Sequence, residues 1–216
     1  EDGFFTVDRF GDGNLDGLIN VGDCITVVSY IIGRMDLNLR QFDAADFNRD
    51  TRVNIGDLQS VIDIILQYET IRGEIPGSPQ VSVELLKDLA PSNGILTVPM
   101  WAELGAEAAG LQFDVTFNSD HVQPLDIVQG EMISGMRMDY SIENNRIHGV
   151  VYDLNGSTFG PDNGALLNLN FRLTGNDFDK ASDIQLTDFM IVNRGAQFIP
   201  TEIKGQLPKQ FSLNQN

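Results

Sequence analysis

The sequence is poor in several features that mark common protein classes. Its 216 residues include one cysteine, and 14 lysines and arginines stand against 31 aspartates and glutamates, giving a net charge of −17. A single cysteine excludes an intrachain disulfide and a cysteine-rich zinc site. The shortage of basic residues argues against nucleic acid, whose phosphates require lysine and arginine, and against an anionic membrane surface.

Long apolar runs are also missing. No run approaches the roughly 20 residues of a membrane helix, so no membrane span is expected. Glu1 and Asp2 open the chain with acid where a signal peptide has a basic start, so we expect a mature or trimmed form. Cys24 lies in an apolar run and is interpreted as a small core residue, with an intermolecular disulfide as the alternative.

Acidic residues are abundant, and they are arranged in an internal repeat. Residues 12–23 and 46–57 align at an offset of 34 residues, with Asp or Asn at the same places in both copies. Side-chain oxygens stand at positions 1, 3, 5, 9 and 12 of each copy, which is the spacing of an EF-hand type calcium loop. Calcium is a hard ion that takes about six to eight oxygen ligands, and alternate residues of a tight loop converge on one point.

The repeat therefore predicts two calcium sites, each completed by the backbone carbonyl at position 7, with position 9 acting through water. The first set is Asp12, Asn14, Asp16, Leu18, Asn20 and Asp23. The second set is Asp46, Asn48, Asp50, Arg52, Asn54 and Asp57. Turn formation alone would explain one such cluster, but not two copies with matching ligands.

Position 6 differs between the two copies. The chain turns sharply there, and Gly17 suits a positive φ whereas Thr51 does not. A β-branched residue in that conformation costs about 1–2 kcal/mol. We therefore expect the second site to be the weaker one.

Each loop leads into one short helix, over residues 24–32 and 58–66. Paired loops with Asp at position 12 followed by such helices resemble the type I dockerin module of cellulosomes, over roughly residues 8–68. The resemblance implies calcium binding and docking onto a cohesin-like domain, through loop positions 10 and 11 and the helix that follows. It places the partner contacts at Val21, Gly22, Ile25, Ile55, Gly56 and Leu58.

The residues at loop positions 10 and 11 are nearly the same in the two copies, which is compatible with docking in two orientations. Dockerins commonly carry polar pairs there, so these pairs imply an apolar contact and leave the partner open. The helices are apolar on more than one face, which favours a second buried surface such as a partner. Packing of both helices within one small domain is the alternative.

After a Gly- and Pro-rich segment the periodicity changes from helical to alternating. Nine strands are predicted, at residues 81–86, 95–104, 109–117, 123–128, 137–142, 146–152, 165–173, 184–192 and 198–203. Their number and spacing predict an all-β jelly-roll sandwich beside a small α domain. The predicted organisation is a calcium-binding domain at 1–68, a linker at 69–80, a sandwich at 81–205 and a tail at 206–216.

The second half resembles a cohesin domain over about residues 79–205. The resemblance rests on residues 109–120 and 164–171, where apolar alternation surrounds a few polar residues. A carbohydrate-binding sandwich is the alternative, with Trp101, Tyr140 and Tyr152 as candidates for an aromatic platform. Residues 211–216 resemble the opening of a type nine secretion sorting domain, which agrees with export.

No catalytic residue is predicted, since His121 and His148 lie in no nucleophile or metal-helix motif. We expect a secreted, extracellular or cell-surface assembly protein that is not an enzyme. Docking onto the sandwich of the next copy would give rings or open filaments. The alternatives are docking within one chain, a separate scaffold or enzyme of a polysaccharide-degrading complex, and a dockerin-tagged carbohydrate-binding module. The predicted linker of about 12 residues reaches at most roughly 40 Å.

Overall fold

The computed structural model describes residues 9–71, 73–87, 90–174, 178–179 and 182–205. The tail at 206–216, with its resemblance to a sorting domain, lies outside these residues. The first described part of the chain is helical. Its helices are α1 (Val21–Ile31), α2 (Leu39–Ala45) and α3 (Ile55–Leu66).

An asparagine caps the first turn of each helix, and the third helical residue bonds back to it. Helices α1 and α3 follow the two repeats as predicted, and each begins three residues before the apolar run. Helix α2 was not predicted, because its seven residues are too few for a clear apolar stripe. Helix α3, the longest of the three, has 12 residues, and no described helix is long and apolar enough to cross a membrane.

The rest of the described chain forms strands joined by short turns. The strands are β1 (Val81–Leu85), β2 (Ile95–Leu104), β3 (Gly110–Phe117), β4 (Val122–Gln129), β5 (Arg137–Glu143), β6 (Arg146–Tyr152), β7 (Asn163–Leu173), β8 (Ile184–Val192) and β9 (Thr201–Ile203). Each predicted strand is present within three residues of its expected bounds. A single 3₁₀ turn, Glu131–Ile133, lies between β4 and β5.

The strands pair into two sheets that face each other. The five-stranded sheet has the order β4-β7-β2-β1-β9, and the four-stranded sheet has the order β5-β6-β3-β8. Leu111, Phe113 and Val115 of β3 are fully buried between the sheets. Alternate residues of a strand point to opposite faces, so this pattern builds the inter-sheet core and confirms the predicted sandwich.

The outer face of the four-stranded sheet is partly covered by the helices. On β6, Val151 lies in the inter-sheet core, whereas Val150 and Tyr152 lie in a second core with helical residues. Val192 of β8 also belongs to this second core. Its buried helical members are Cys24, Val27, Val28 and Ile31 of α1, Ala45 of α2, and Ile55, Leu58, Val61 and Ile62 of α3, and Ile32 joins them just after α1. Helices α1 and α3 therefore share a core with the sandwich.

Cys24 lies inside this second core. It is 1% exposed and has a free thiol, and burial raises the pKa of the thiol to about 12. Its neutral thiol therefore packs as a small apolar group, as predicted.

The segment after α3 runs along the sandwich. Its backbone bonds to residues 195–200 at several points. The N–H of Ile71 donates to the carbonyl of Gly195 at 2.7 Å, and that of Ile75 donates to Phe198 at 2.9 Å. These bonds fix the direction in which the chain leaves the helices and enters β1.

Candidate functional site

The first loop, residues 12–23, folds around the side chain of Asp12. One carboxylate oxygen accepts the backbone N–H of Asp16 at 3.0 Å, and the other accepts that of Gly17 at 2.9 Å. The side-chain oxygen of Asn14 also accepts the Asp16 N–H, at 2.9 Å. Positions 1, 3 and 5 are thereby drawn to one side of the loop.

Asp23 closes this loop from the first turn of α1. Its two oxygens accept the N–H groups of Asn14 at 3.2 Å and of Asn20 at 2.8 Å. The Asn20 side chain caps α1 by accepting the N–H of Gly22 at 2.7 Å. Because Asp23 is fully buried, its carboxylate fixes the end of the loop to the start of the helix.

The second loop, residues 46–57, repeats this pattern bond for bond. Asp46 accepts the N–H groups of Asp50 and Thr51 at 3.1 and 3.0 Å. Asp57, also fully buried, accepts those at positions 3 and 9 at 3.1 and 3.0 Å. The sequence repeat is therefore a repeat of local structure as well.

Position 6 takes a positive φ in both loops, as the sequence predicted. The value is 90° at Gly17 and 70° at Thr51. Thr51 therefore adopts a conformation that its branched side chain disfavours. The lower affinity expected of the second loop stays a prediction.

The carboxylates of each loop lie close enough to disfavour one another's charge. Burial raises the pKa of Asp23, and the neighbouring carboxylates of Asp12 and Asp16 raise it further. Burial raises the pKa of Asp57 to about 7. In the described part of the chain, no three His, Cys, Asp or Glu side chains are arranged to hold a metal by themselves. The predicted ligands offer carboxylate, asparagine and backbone oxygens, which is the donor type that a hard divalent cation takes, and their binding of calcium stays a prediction.

The N-terminus of α3 is inserted into the outer face of the four-stranded sheet. Ile55 is fully buried, and its N–H donates to the side-chain oxygen of Gln112 at 3.1 Å. A Cβ on Gly110 would lie 2.9 Å from the Ile55 side chain, and one on Gly56 would lie 2.7 Å from the Phe198 ring. Two glycines therefore allow the helix and the sandwich to meet.

The middle of α3 is fixed by a buried carboxylate. Asp63 accepts the N–H of Gly195 at 3.1 Å and the side-chain amide of Gln59 at 2.8 Å. Burial raises the pKa of Asp63, and the nearby Arg194 opposes that shift. The Arg194 guanidinium lies 4.8 Å from the ring centroid of Tyr68, just beyond the helix.

The C-terminal end of α1 contacts the opposite edge of the same sheet. The Ser141 hydroxyl of β5 donates to the carbonyl of Ile32. The guanidinium of Arg34 donates to the carbonyl of Tyr140 at 2.9 Å. Both repeat helices are therefore bonded to the sandwich, at its two edges.

Residues 10–66 match the family model of the dockerin type I domain. This segment is similar to a type I dockerin and is called the dockerin module. Type I dockerin domains bind calcium and partner with cohesins. No curated protein sequence matches the chain.

Solved cohesin structures match the fold of the other half. A chain of a type I cohesin–dockerin complex from Clostridium thermocellum, Coh-OlpC-Doc435, is 14% identical with a TM-score of 0.51, covering 61% of this chain and 94% of its own. A non-cellulosomal cohesin from Archaeoglobus fulgidus is 19% identical with a TM-score of 0.47, covering 57% and 86%. The sandwich therefore has a cohesin-type fold.

The residues predicted to contact a partner fall into two groups in the dockerin module. In the second repeat, Ile55 and Gly56 contact the sandwich of the same chain, and Leu58 is buried in the second core. In the first repeat, Val21 is 43% exposed and Ile25 is 59% exposed. Gly22 is half-buried beside the first loop.

The sequence analysis did not predict which sandwich residues contact the dockerin module. Gln112, Phe198, Gly195 and Gly110 lie far from the dockerin module in the chain, and no repeat marks them. Gln112 had a weak signal, since strand alternation predicts that it points away from the inter-sheet core.

The candidate aromatic residues do not share one surface. Trp101 lies on β2 of the five-stranded sheet, whereas Tyr140 and Tyr152 lie on β5 and β6 of the four-stranded sheet. Tyr152 is buried beneath the helices, and its hydroxyl donates to Asp139 at 3.0 Å. These three residues therefore do not build a single sugar platform.

Proposed function

We propose that the chain is a non-catalytic extracellular assembly protein that works by calcium-dependent docking of a dockerin module on a cohesin-type sheet. The observation that carries this proposal is the packing of α1 and α3 on the four-stranded sheet, with Ile55 fully buried there. On this proposal, one chain contains both members of a docking pair. Proteins of cellulosomes with these modules are typically extracellular, which supports secretion or surface display.

Two calcium ions would bind the loops through the twelve residues predicted from the repeat. Bound calcium would supply the positive charge that the clustered carboxylates lack. The chain itself does the positioning, because Asp23 and Asp57 each bond to the backbone of their loop and stand in the first helical turn. A closed second loop would set the position of Ile55 and Gly56, the residues that enter the sheet.

The partner in an assembly is proposed to be the sandwich of another copy. Such a contact joins two different surfaces, so repeating it gives a ring or an open filament. A separate scaffold or enzyme is the alternative partner, and polysaccharide would be reached through the complex. The placement of the aromatic residues gives no added support to a glycan platform on this sandwich.

Calcium stoichiometry tests the ligand assignment. We expect titration calorimetry of the wild-type chain to show two bound ions, with unequal affinities. The variant Asp12→Ala/Asp16→Ala should bind one ion, because two of the first loop's carboxylates are gone. A double variant that still binds two ions would show that the assignment is wrong.

Electron microscopy tests assembly directly. The purified chain is imaged with calcium and again after chelation. Filaments or rings that dissolve on chelation would support docking between copies. Dispersed particles in both conditions would show that wild-type copies do not dock on one another, and calcium-dependent pull-down with cohesin and dockerin baits would then test for a different partner protein.

A further inference from the structure

The four-stranded sheet has an outer surface that is built to receive a helix, and the chain's own helix occupies it. We define the docking face as Gly110, Gln112, Val150, Tyr152, Val192 and the turn at 193–198. Its apolar members Val150, Tyr152 and Val192 are at most 3% exposed. The residues that cover them belong to α1 and α3.

We propose that the second repeat is docked on this face within one chain, so that the chain is closed to other dockerins and cohesins until that repeat leaves. The idea rests on the proposed docking function and adds that the resident partner is the chain itself. Assembly between copies would then require exchange of the same contact from one chain to another.

Three separate contacts support docking in this position. The start of α3 donates to Gln112, and Asp63 in its middle accepts from Gly195. The end of α1 accepts from Ser141. If α1 and α3 lay on the sheet by apolar contact alone, they would not both meet polar partners there.

The two repeats of the dockerin module differ in burial at the start of their helices, and the second repeat is the one buried against the docking face. Ile55 and Gln59 are 0% and 1% exposed, whereas their counterparts Val21 and Ile25, 34 residues earlier, are 43% and 59% exposed. The loops and the N-caps of the two repeats are alike, so the local structure at the helix starts does not cause this difference. The docking face causes it.

The segment between α3 and β1 favours the closed arrangement. Its bonds to residues 195–200 keep the module beside the face, where Ile71 and Ile75 are tied to Gly195 and Phe198. Even a short flexible tether gives an effective concentration on the order of millimolar. A separate partner of micromolar concentration would therefore compete poorly for the same face.

A matched pair of glycine variants tests the closed state in the full chain. Gly56→Gln would place a side chain against Phe198 of the docking face and against Asn54 of its own loop. At the equivalent position of α1, the atoms nearest to a Gly22→Gln side chain belong to Asn14 and Asn20 of its own loop. The readouts are the labelling rate of the single cysteine, Cys24, which lies in the second core, and the radius of gyration in solution. Far-UV circular dichroism and Trp101 fluorescence check that each variant is folded.

We expect Gly56→Gln to label at least about tenfold faster than wild type and to have a larger radius, because local opening exposes the core. In saturating calcium, Gly22→Gln should change both readouts much less than Gly56→Gln, because its nearest neighbours are Asn14 and Asn20 of its own loop and not the docking face. Equal labelling and equal radii for the two folded glycine variants would overturn the closed state.

A mixing experiment separates this inference from the proposed function. Val150→Asp introduces a charge into the docking face, which blocks the face but leaves its dockerin module intact. Gly56→Gln blocks the module but leaves the face intact. In calcium, each variant alone should be a monomer, and the mixture should form a one-to-one heterodimer measured by light scattering.

Two other outcomes distinguish the closed state from assembly between copies. Wild-type chains that polymerise in calcium at micromolar concentration, without any opening substitution, would overturn the closed state and support the assembly function. If Gly56→Gln opens the chain while the mixture stays monomeric, the closed state stands and assembly between copies through this face is excluded.

Discussion

The sixth residue of each loop is where the two repeats differ most in backbone strain. Thr51 has a φ of 70°, and Gly17 has a φ of 90°. Threonine in that conformation costs about 1–2 kcal/mol, which is offset in part by its smaller loss of backbone entropy than glycine on folding. The strain falls on the loop that positions the start of α3.

Exchange of these two residues makes the cost measurable. We predict that Thr51→Gly tightens calcium binding by the second loop about two- to tenfold, since binding no longer has to maintain a strained residue. Gly17→Thr should weaken the first loop by a similar factor. Titration calorimetry of both variants checks this, and unchanged affinities in both would contradict the strain argument.

Asp63 is a buried carboxylate between the dockerin module and the sandwich. Burial raises the pKa of Asp63 above the ordinary value of 3.8, so the folded state retains the proton more readily than the unfolded state. Stability contributed by this residue is therefore lost as pH rises from about 4 through the raised pKa. Asp63→Asn keeps an acceptor for Gly195 and removes the ionisation.

We predict that Asp63→Asn gains stability relative to wild type as pH rises through that window. Urea unfolding of both proteins at several pH values, in saturating calcium, gives the difference directly. Arg194 is the cation that faces this carboxylate, so Arg194→Gln should widen the difference. A difference that is constant with pH would show that Asp63 does not ionise in this range.

At the scale of whole elements, α1 and α3 are copies with different surroundings. Ile55 of α3 is fully buried against the sandwich, whereas Val21 of α1 is 43% exposed. We predict that Ile55→Ala lowers the free energy of unfolding by about 2–5 kcal/mol, because it leaves a cavity between helix and sheet. Val21→Ala should change it by at most about 0.5 kcal/mol.

Denaturant unfolding of these two variants checks the comparison. Because both substitutions lie at the same position of a repeated motif, differences in helix propensity are small. Similar losses for the two would show that the docking face contributes little to the stability of α3.

The elements were predictable where their pattern is local. Strands such as β3 alternate buried and polar residues, and the loops repeat their ligands at a fixed offset, so both are legible in the sequence. Helix α2 has too few residues for a periodic signal, and only the pair Asn38 and Gln41 marks its start.

The contact between helices and sandwich was not predictable in the same way. It joins Ile55 to Gln112 across 57 positions and Asp63 to Gly195 across 132 positions. No periodicity relates residues so far apart, and an apolar helix face fits a separate partner as well as the same chain. The surroundings of the predicted calcium ligands can therefore be predicted from the sequence, because each loop is local. The surface that covers the predicted docking residues cannot be predicted in this way.

At the scale of the whole molecule, two separate hydrophobic cores stabilise the fold. Among the described residues, the inter-sheet core contains none from α1, α2 or α3, whereas the second core combines α1 and α3 with Val150, Tyr152 and Val192 of the sandwich. The sandwich can therefore keep its main core when the dockerin module loosens. The module cannot keep all of its buried surface when it leaves the sheet.

This asymmetry predicts how the chain responds to removal of calcium. Without a cation, the carboxylates of each loop repel one another, and Asp23 and Asp57 stand in the first turns of α1 and α3. We expect the helices to unfold first, at a temperature lower by about 4–8 °C for each kcal/mol of binding free energy lost.

Two probes in the same sample separate the parts. Far-UV circular dichroism follows the helices, and the single tryptophan, Trp101, lies on β2 and reports on the sandwich. In calcium the two melting curves should coincide, because the shared second core couples the modules. After chelation the helix curve should shift to lower temperature and the tryptophan curve should shift less. Curves that coincide in both buffers would mean either that the loops do not depend on calcium or that the modules never separate. The variant Asp12→Ala/Asp16→Ala, measured in calcium, distinguishes these two explanations. If its helix curve shifts apart from its tryptophan curve, the modules can separate, and the loops then do not depend on calcium.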